Sequence, residues 1–414
     1  MLGAVTLWAP VVDRYDLVII GGGIVGLAAA RSLRRRRPSA EIAVVEMESD
    51  LGVHQTGHNS GVIHSGIFYA EGSLKAGLTL EGRRQLLEFC RTEGIPTLPV
   101  GKLIVASRTS EEPALVDLLE RARVNGVPGV SRLDREGLND TAPGVAGTGA
   151  VLVPTTAIVE YPAVVDRLAR RLEKDSVALL RAHEVTGARR EEGGWRLETS
   201  AGLVGAQFVV NCAGLRADLV ARCLGVEPSV SIVPFRGDFF ELEGTPRERV
   251  RMLVYPVPDP RVPFVGVHLT PTVSGQLLAG PNAAIALARE GYRPGAFDAS
   301  ELARLAEFPG VWSLLRRYPG MAAREWLRSW SPTEFLSAIR RLWPEAGPEN
   351  LGARRSGIRA QAMRRDGSLV EDFVLTHGPA ALHVLNAPSP AATASFAIGD
   401  RIAEECLAGG VAAS

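Results

Sequence analysis

Apolar residues open the chain in a short β-branched run at 16–20, return at helical spacing through 24–35, and form a second short run at 42–45. Brief apolar runs bounded by glycine predict buried strands, and the period of about 3.6 between them predicts a helix. A strand–helix–strand unit is therefore expected over 16–46. Helical periods follow at 74–90, 111–125 and 161–173, the last started by Pro162, with strands at 101–106 and 208–214. The stretch 128–143 shows only turn signals, 151–160 opens a second block, and 179–203 predicts a hairpin turning at 191–194.

From 231 the pattern changes. Strand runs at 232–242, 251–255, 262–269 and 276–280, separated by Pro and Gly, predict an antiparallel sheet. Helical patterning over 299–343 is broken at Pro309, Pro319 and Pro332. A Gly- and Arg-bearing strand region at 352–372, a strand at 382–386, a proline turn and a small-residue helix at 391–407 complete the chain. The fold class expected is α/β with an α+β second domain. A Rossmann-type nucleotide domain is expected from 1–90, 150–228 and 352–414, with a substrate domain inserted at 91–149 and 229–351.

At 414 residues, 46% of them hydrophobic, the chain can bury a large core. Lys plus Arg and Asp plus Glu both number 46, so no global field points to nucleic acid. The four cysteines form no C-x-x-C pair, which fits reduced thiols and a cytoplasmic location. The first fourteen residues lack a basic segment followed by a long apolar one and are expected to be a short tail, not a signal peptide. No apolar run reaches the roughly 18–20 residues a membrane span needs.

Chemistry enters at 21–26, where Gly21, Gly23 and Gly26 stand at G-x-G-x-x-G spacing between the first strand and its helix. Such glycines make the tight turn, admit a pyrophosphate to the backbone, and let helix and strand pack closely. The helix N-terminus offers free N–H groups to phosphate. Glu46, ending the second strand about 20 residues on, suits a ribose hydroxyl and disfavours a 2′-phosphate, which points to FAD or NAD. The strand at 208–214 closes on Ala213 and Gly214, small enough to lie against a flat cofactor.

The blocks HQTGHNSGVIHSGI (54–67), VPFRGD (233–238), YPVPDPRVPFVGVH (255–268), GIRAQ (357–361), DGSLVEDF (366–373) and NAPSPAATAS (386–395) resemble those of the L-2-hydroxyglutarate oxidase/dehydrogenase family. That is a flavoprotein family of the D-amino-acid-oxidase-like superfamily. The resemblance implies FAD as cofactor and oxidation of L-2-hydroxyglutarate to 2-oxoglutarate, with electrons passed to oxygen or a membrane quinone. It also places Asn59, Ser60 and His64 beside the flavin, with Val185 in the cofactor site, and leaves open a covalent link through His64 or His58.

Removing the hydroxyl proton calls for a base, and binding carboxylates calls for arginine forks. His268, expected to end a strand facing the flavin, is the first candidate base, against a structural histidine. Arg359 in GIRAQ resembles the position that holds a substrate carboxylate in relatives, against a surface salt bridge. Arg236 would serve the second carboxylate or pin the domain hinge. His54 and His58 have the spacing of metal ligands but no H-E-x-x-H around them, so no metal is expected. Asn386, Pro388, Ser389 and Ala391 make a proline turn before the last helix, whose N–H groups would face the flavin pyrimidine oxygen.

Tryptophans 312, 326, 330 and 343 interleave with arginines 316, 317, 324, 328, 340 and 341. This mixture suits a peripheral membrane contact, but the prolines prevent one long amphipathic helix and favour a packed helical subdomain or oligomer contact. Rival functions are the same fold on glycerol 3-phosphate, malate or an amino acid, a flavin-binding protein without turnover, and an NAD-linked dehydrogenase.

Overall fold

The structure, a computed structural model, describes residues 13–244, 246, 249–259 and 264–409. Most of the expected N-terminal tail lies outside them. Strand Asp13–Ile20 occupies the middle of an eight-stranded sheet, parallel to Ile42–Val45 on one side and to Gly202–Asn211 on the other. Its last four residues are buried, as a strand covered on both faces must be. Helix Ile24–Arg36 covers one face, and helix Ala391–Ala408 packs along it so closely that a Cβ on Gly399 would fall 2.5 Å from the Ala28 carbonyl oxygen. Glycine is required there.

Gly202–Asn211 is shared by two neighbours on its far edge. Its first half pairs with Gly194–Thr199 and its last residues pair in parallel with Ala381–Asn386. The ends of Asp13–Ile20, Ile42–Val45, Gly202–Asn211 and Ala381–Asn386 therefore converge on one edge of the sheet, where α/β folds bind ligands.

A second, nine-stranded sheet is built on Ser231–Leu242, which pairs with Leu351–Met363 over most of both strands. It is antiparallel except where Leu253–Pro256 runs parallel to Lys102–Ala106. This sheet also takes in Gly149–Val153 and Leu351–Met363, stretches whose sequence pattern groups them with the nucleotide domain. Between 128 and 143, where the sequence shows only turns, lie strand Ser131–Leu133 and helix Arg135–Thr141, whose N-cap Asp134 accepts from Gly137 N at 2.9 Å. The strand expected at 262–269 is observed as His268–Pro271, so His268 begins a strand and does not end one; residues 260–263 lie outside the described set.

Four short helices cover the second sheet. Three of them, Pro309–Arg317, Pro319–Trp330 and Pro332–Ile339, begin on the prolines that interrupt the pattern, a position where the missing N–H costs nothing. Trp343 is buried, 1% exposed, with its ring against Gly144, which removes it from any surface role. Trp312, Trp326 and Trp330 are 47%, 57% and 49% exposed. No helix among the described residues is long and apolar enough to cross a membrane.

The two sheets are tied by a buried ion cluster. Arg289, 5% exposed, donates to Asp218 at 2.6 Å and to Glu301 at 2.8 Å, joining helix Ala217–Cys223 to helix Ala299–Glu307.

Candidate active site

A cavity of about 1000 Å³ lies between the converging strand ends and the second sheet. Its dinucleotide side is set by the glycines. Gly21, at φ +111°, turns the chain where any Cβ would strike the Cys212 carbonyl, and a Cβ on Gly26 would sit 2.0 Å from the Gly21 oxygen. At Gly23, which lines the cavity, the nearest atom to a Cβ would be Thr56 Oγ1 at 3.4 Å, ordinary contact distance, so this glycine is the least crowded of the three. An opening at that one glycine, before a helix with no acidic residue in its first turn, fits a pyrophosphate.

Glu46 is 7% exposed; its carboxylate accepts from Gly22 N at 2.6 Å and from Glu48 N at 3.0 Å and borders the cavity. Ser60, Val185, Ala213, Gly214, Pro388, Ser389 and Ala391 line it as well. These residues fit FAD: an open glycine cradle, an acid for the ribose, and small residues where flat rings would pack.

Asn386 and Asn59 reach the cavity but spend their side chains on backbone. The Asn386 amide donates to Val370 O at 3.0 Å and Asp372 O at 2.8 Å, and its oxygen accepts from Ala362 N. Asn59 bridges Thr56 O and Gly61 N within its own loop. Both shape the wall.

On the opposite wall His268 is 6% exposed and stacks on Tyr255 with ring centroids 3.8 Å apart. Its Nδ1 lies 3.1 Å from Gly266 O. A carbonyl only accepts, so Nδ1 carries the hydrogen and Nε2 keeps its lone pair. Burial, reinforced by the Arg359 and Lys102 charges, lowers the His268 pKa to about 3, and the ring is neutral at working pH. His64 is held to about 3 in the same way, by burial first and then by Lys102, His268 and Lys75. The His64 backbone N–H donates to Thr393 Oγ1 at 3.1 Å, which locks its loop to the start of the last helix.

Arg359 lines the cavity, donates to Asn282 O at 3.3 Å and lies 5.4 Å from the Phe264 ring centroid. Burial lowers it to about 10, which leaves it cationic. Arg236 does not line the cavity: its Nε faces Asp238 at 3.3 Å and Nη1 donates to Arg293 O at 2.8 Å. Of its two expected roles, that geometry matches the structural one.

His54 contacts Glu48 and Tyr292, each at 3.0 Å, while His58 bonds Ser356 O and stacks on Tyr292 at 4.0 Å. Both rings thus pack on Tyr292, each with a further partner of its own. Three residues at or behind this wall had no role in the sequence reading: Tyr255, Phe68 and Lys102. The lysine inside the apolar run GKLIVA and the place of Tyr255 at the head of the 255–268 block were their visible signals.

The model of the FAD dependent oxidoreductase family matches residues 16–405. An L-2-hydroxyglutarate dehydrogenase from Indibacter alkaliphilus is 40% identical over 95% of this chain and 99% of its own length. The mitochondrial L-2-hydroxyglutarate dehydrogenase of Homo sapiens is 41% identical over 95% of this chain and 89% of its own. Among solved structures, L-α-glycerophosphate oxidase from Mycoplasma pneumoniae with FAD bound aligns over 96% of this chain and 95% of its own, with TM-score 0.78 and 20% identity. Glycine oxidase from Geobacillus kaustophilus aligns over the same shares with TM-score 0.69 and 20% identity, so both likenesses speak for the fold alone. The chain belongs to the FAD dependent oxidoreductase family and, within it, to the family of the L-2-hydroxyglutarate dehydrogenases.

Proposed function

We propose that this protein oxidises L-2-hydroxyglutarate to 2-oxoglutarate. The observation that carries the reading is the pairing on one wall of a neutral imidazole with a free Nε2, on His268, and a permanently cationic guanidinium, on Arg359. Those are the two groups that an alcohol next to a carboxylate requires. The names of relatives that span nearly the whole chain supply the substrate.

Gly21, Gly23, Gly26 and Glu46 would hold FAD, which when bound supplies the two-electron acceptor for the C2 hydride. Arg359 binds the carboxylate at C1 through its planar fork and so orients C2. His268 Nε2 takes the hydroxyl proton as the C2–H electron pair departs, and the C2–O single bond becomes the carbonyl of the product. Tyr255 and the Gly266 carbonyl fix the imidazole plane and tautomer, so the base needs no reorganisation. His64, also buried with its pKa lowered to about 3, is likewise neutral at working pH.

Electrons then leave to oxygen or to a membrane quinone. Exposed Trp312, Trp326 and Trp330, with Leu327 46% exposed between the last two, support a peripheral membrane contact on this face.

The test is the flavin spectrum of the purified protein under anaerobic conditions with L-2-hydroxyglutarate and, separately, its D-enantiomer. Bleaching by the L form alone is expected. A spectrum unmoved by both would remove the substrate and leave the fold.

A further inference from the structure

Lys102 is a charge that the proton and hydride steps leave unused. It opens strand Lys102–Ala106, every residue of which is buried, and is itself 1% exposed. No charged neighbour among the described residues accounts for it: burial lowers it to about 7. Its Nζ lies 4.4 Å from the ring centroid of Phe68 and 5.0 Å from that of Tyr255, and both rings line the cavity. Aromatic faces offset only part of the cost of burying an ammonium, so this is a cation lacking an anion.

Its position relative to Arg359 is specific. Strand His268–Pro271 has Leu253–Pro256 and then Lys102–Ala106 on one side and Leu277–Gly280 on the other. Lys102 approaches His268 through Tyr255, the ring on which the imidazole stacks. Arg359 approaches from the opposite side, where Gly280 pairs with His268 and the Asn282 carbonyl accepts from the guanidinium. The base therefore has one cation on each side. Lys102 itself stands behind the Phe68 and Tyr255 rings and does not line the cavity; among the described residues the lining cations other than Arg359 already have partners, Lys75 donating to Glu371 O, Arg121 to Phe68 O, and Arg216 pairing with Glu184 and Glu290.

We propose that Lys102 is the counter-charge for the distal carboxylate of a dicarboxylic substrate, so that a 2-hydroxy diacid is read at both ends, C1 by Arg359 and the far carboxylate by Lys102. This rests on the reaction proposed above and names the residue that sets its selectivity. The ammonium sits on a flexible four-methylene stem against two rings that line the cavity, so a second carboxylate brought past those rings would meet an unpaired cation. A monoacid of the same length leaves the ammonium buried and unpaired. Discrimination then comes from the unmet charge as much as from the met one.

The experiment compares glutarate with pentanoate, two unreactive acids of equal length, by perturbation of the bound-flavin spectrum in wild type, Lys102→Met, Lys102→Gln and Lys102→Arg. Wild type should prefer glutarate by about 10²-fold. Lys102→Met and Lys102→Gln should each lose at least about tenfold of that ratio, and Lys102→Arg should keep most of it. Whichever neutral variant retains FAD decides. A wild-type ratio in either neutral variant overturns the proposal, and so does a wild-type protein with no preference for glutarate. The two readings fail separately. Lys102-dependent glutarate binding without reduction by L-2-hydroxyglutarate would sink the reaction and keep the diacid site; reduction with selectivity indifferent to Lys102 would sink the site alone.

Discussion

The imidazole of His268 lies 20° from parallel to the Tyr255 ring at a centroid distance of 3.8 Å, which holds the plane of the proposed base by stacking. His268→Ala is expected to keep FAD and slow anaerobic flavin reduction by about 10²-fold or more, the range for a lost general base. Stopped-flow reduction measures it. A near-normal rate would transfer the assignment to His64, the other neutral imidazole at the cavity.

Arg359→Lys keeps a positive charge and loses the fork. The half-saturating substrate concentration should rise about tenfold or more, with a smaller change in the limiting rate of reduction. An unchanged half-saturation would detach Arg359 from the C1 carboxylate.

Two glycines give opposite signatures. Gly26→Ala places a Cβ 2.0 Å from the Gly21 oxygen, so it should destabilise even the flavin-free protein, by about 1–3 kcal/mol. Gly23→Val intrudes on the open cradle and should lower bound flavin far more than it lowers the melting temperature of the apoprotein. Flavin content and apoprotein melting, measured side by side, separate the two.

Acid should act through His268. Its folded pKa of about 3 lies below the unfolded value of about 6.5, so in that window the unfolded chain binds more protons. The contribution is whole above about pH 6.5 and erodes as pH falls toward 3, by about 1.4 kcal/mol per pH unit. Denaturant midpoints at pH 7 and pH 5 should differ less in His268→Phe than in wild type. The imidazole also stays unprotonated from pH 5 to 8, so it should impose no acid limb on the rate of reduction there.

The buried ammonium acts with the same sign in a higher pH window. With Lys102 at about 7 in the folded protein and about 10.4 in the unfolded chain, stability without substrate should rise with pH between those values. Lys102→Met should raise the melting temperature of the ligand-free protein at pH 7 and flatten that rise. A destabilised Lys102→Met protein would mean that the ammonium has a protein partner after all.

Replacing Trp326 and Trp330 together with Ser tests the membrane face, since their rings sit 5.8 Å apart at the surface. Co-sedimentation with anionic vesicles should fall and flavin reduction should not change.

The strand–turn–helix–strand unit on the expected cofactor side was legible because its parts are local. Gly21 through Glu46 specify strand, turn, helix and acid within one stretch, and each needs only its neighbours in sequence. The substrate half depends on which strand lies beside which. GKLIVA announces a strand but not its parallel pairing to Leu253–Pro256, and that pairing is what carries Lys102 to Tyr255. Arg236 shows the same limit: only the fold sets Asp238 against its Nε and turns it from the cavity. Ser131–Leu133 escaped notice because three residues become a strand only by pairing with Gly149–Val153.

Helix Ala391–Ala408 lies against the first helix, and residues just before and within it line the cavity whose opposite lip is Gly21–Glu46. During synthesis the glycine cradle leaves the ribosome more than three hundred residues before the segment that closes it. A cavity walled by both segments is complete only once that late helix has folded back, and a ribosome stalled before residue 391 would display it half-walled.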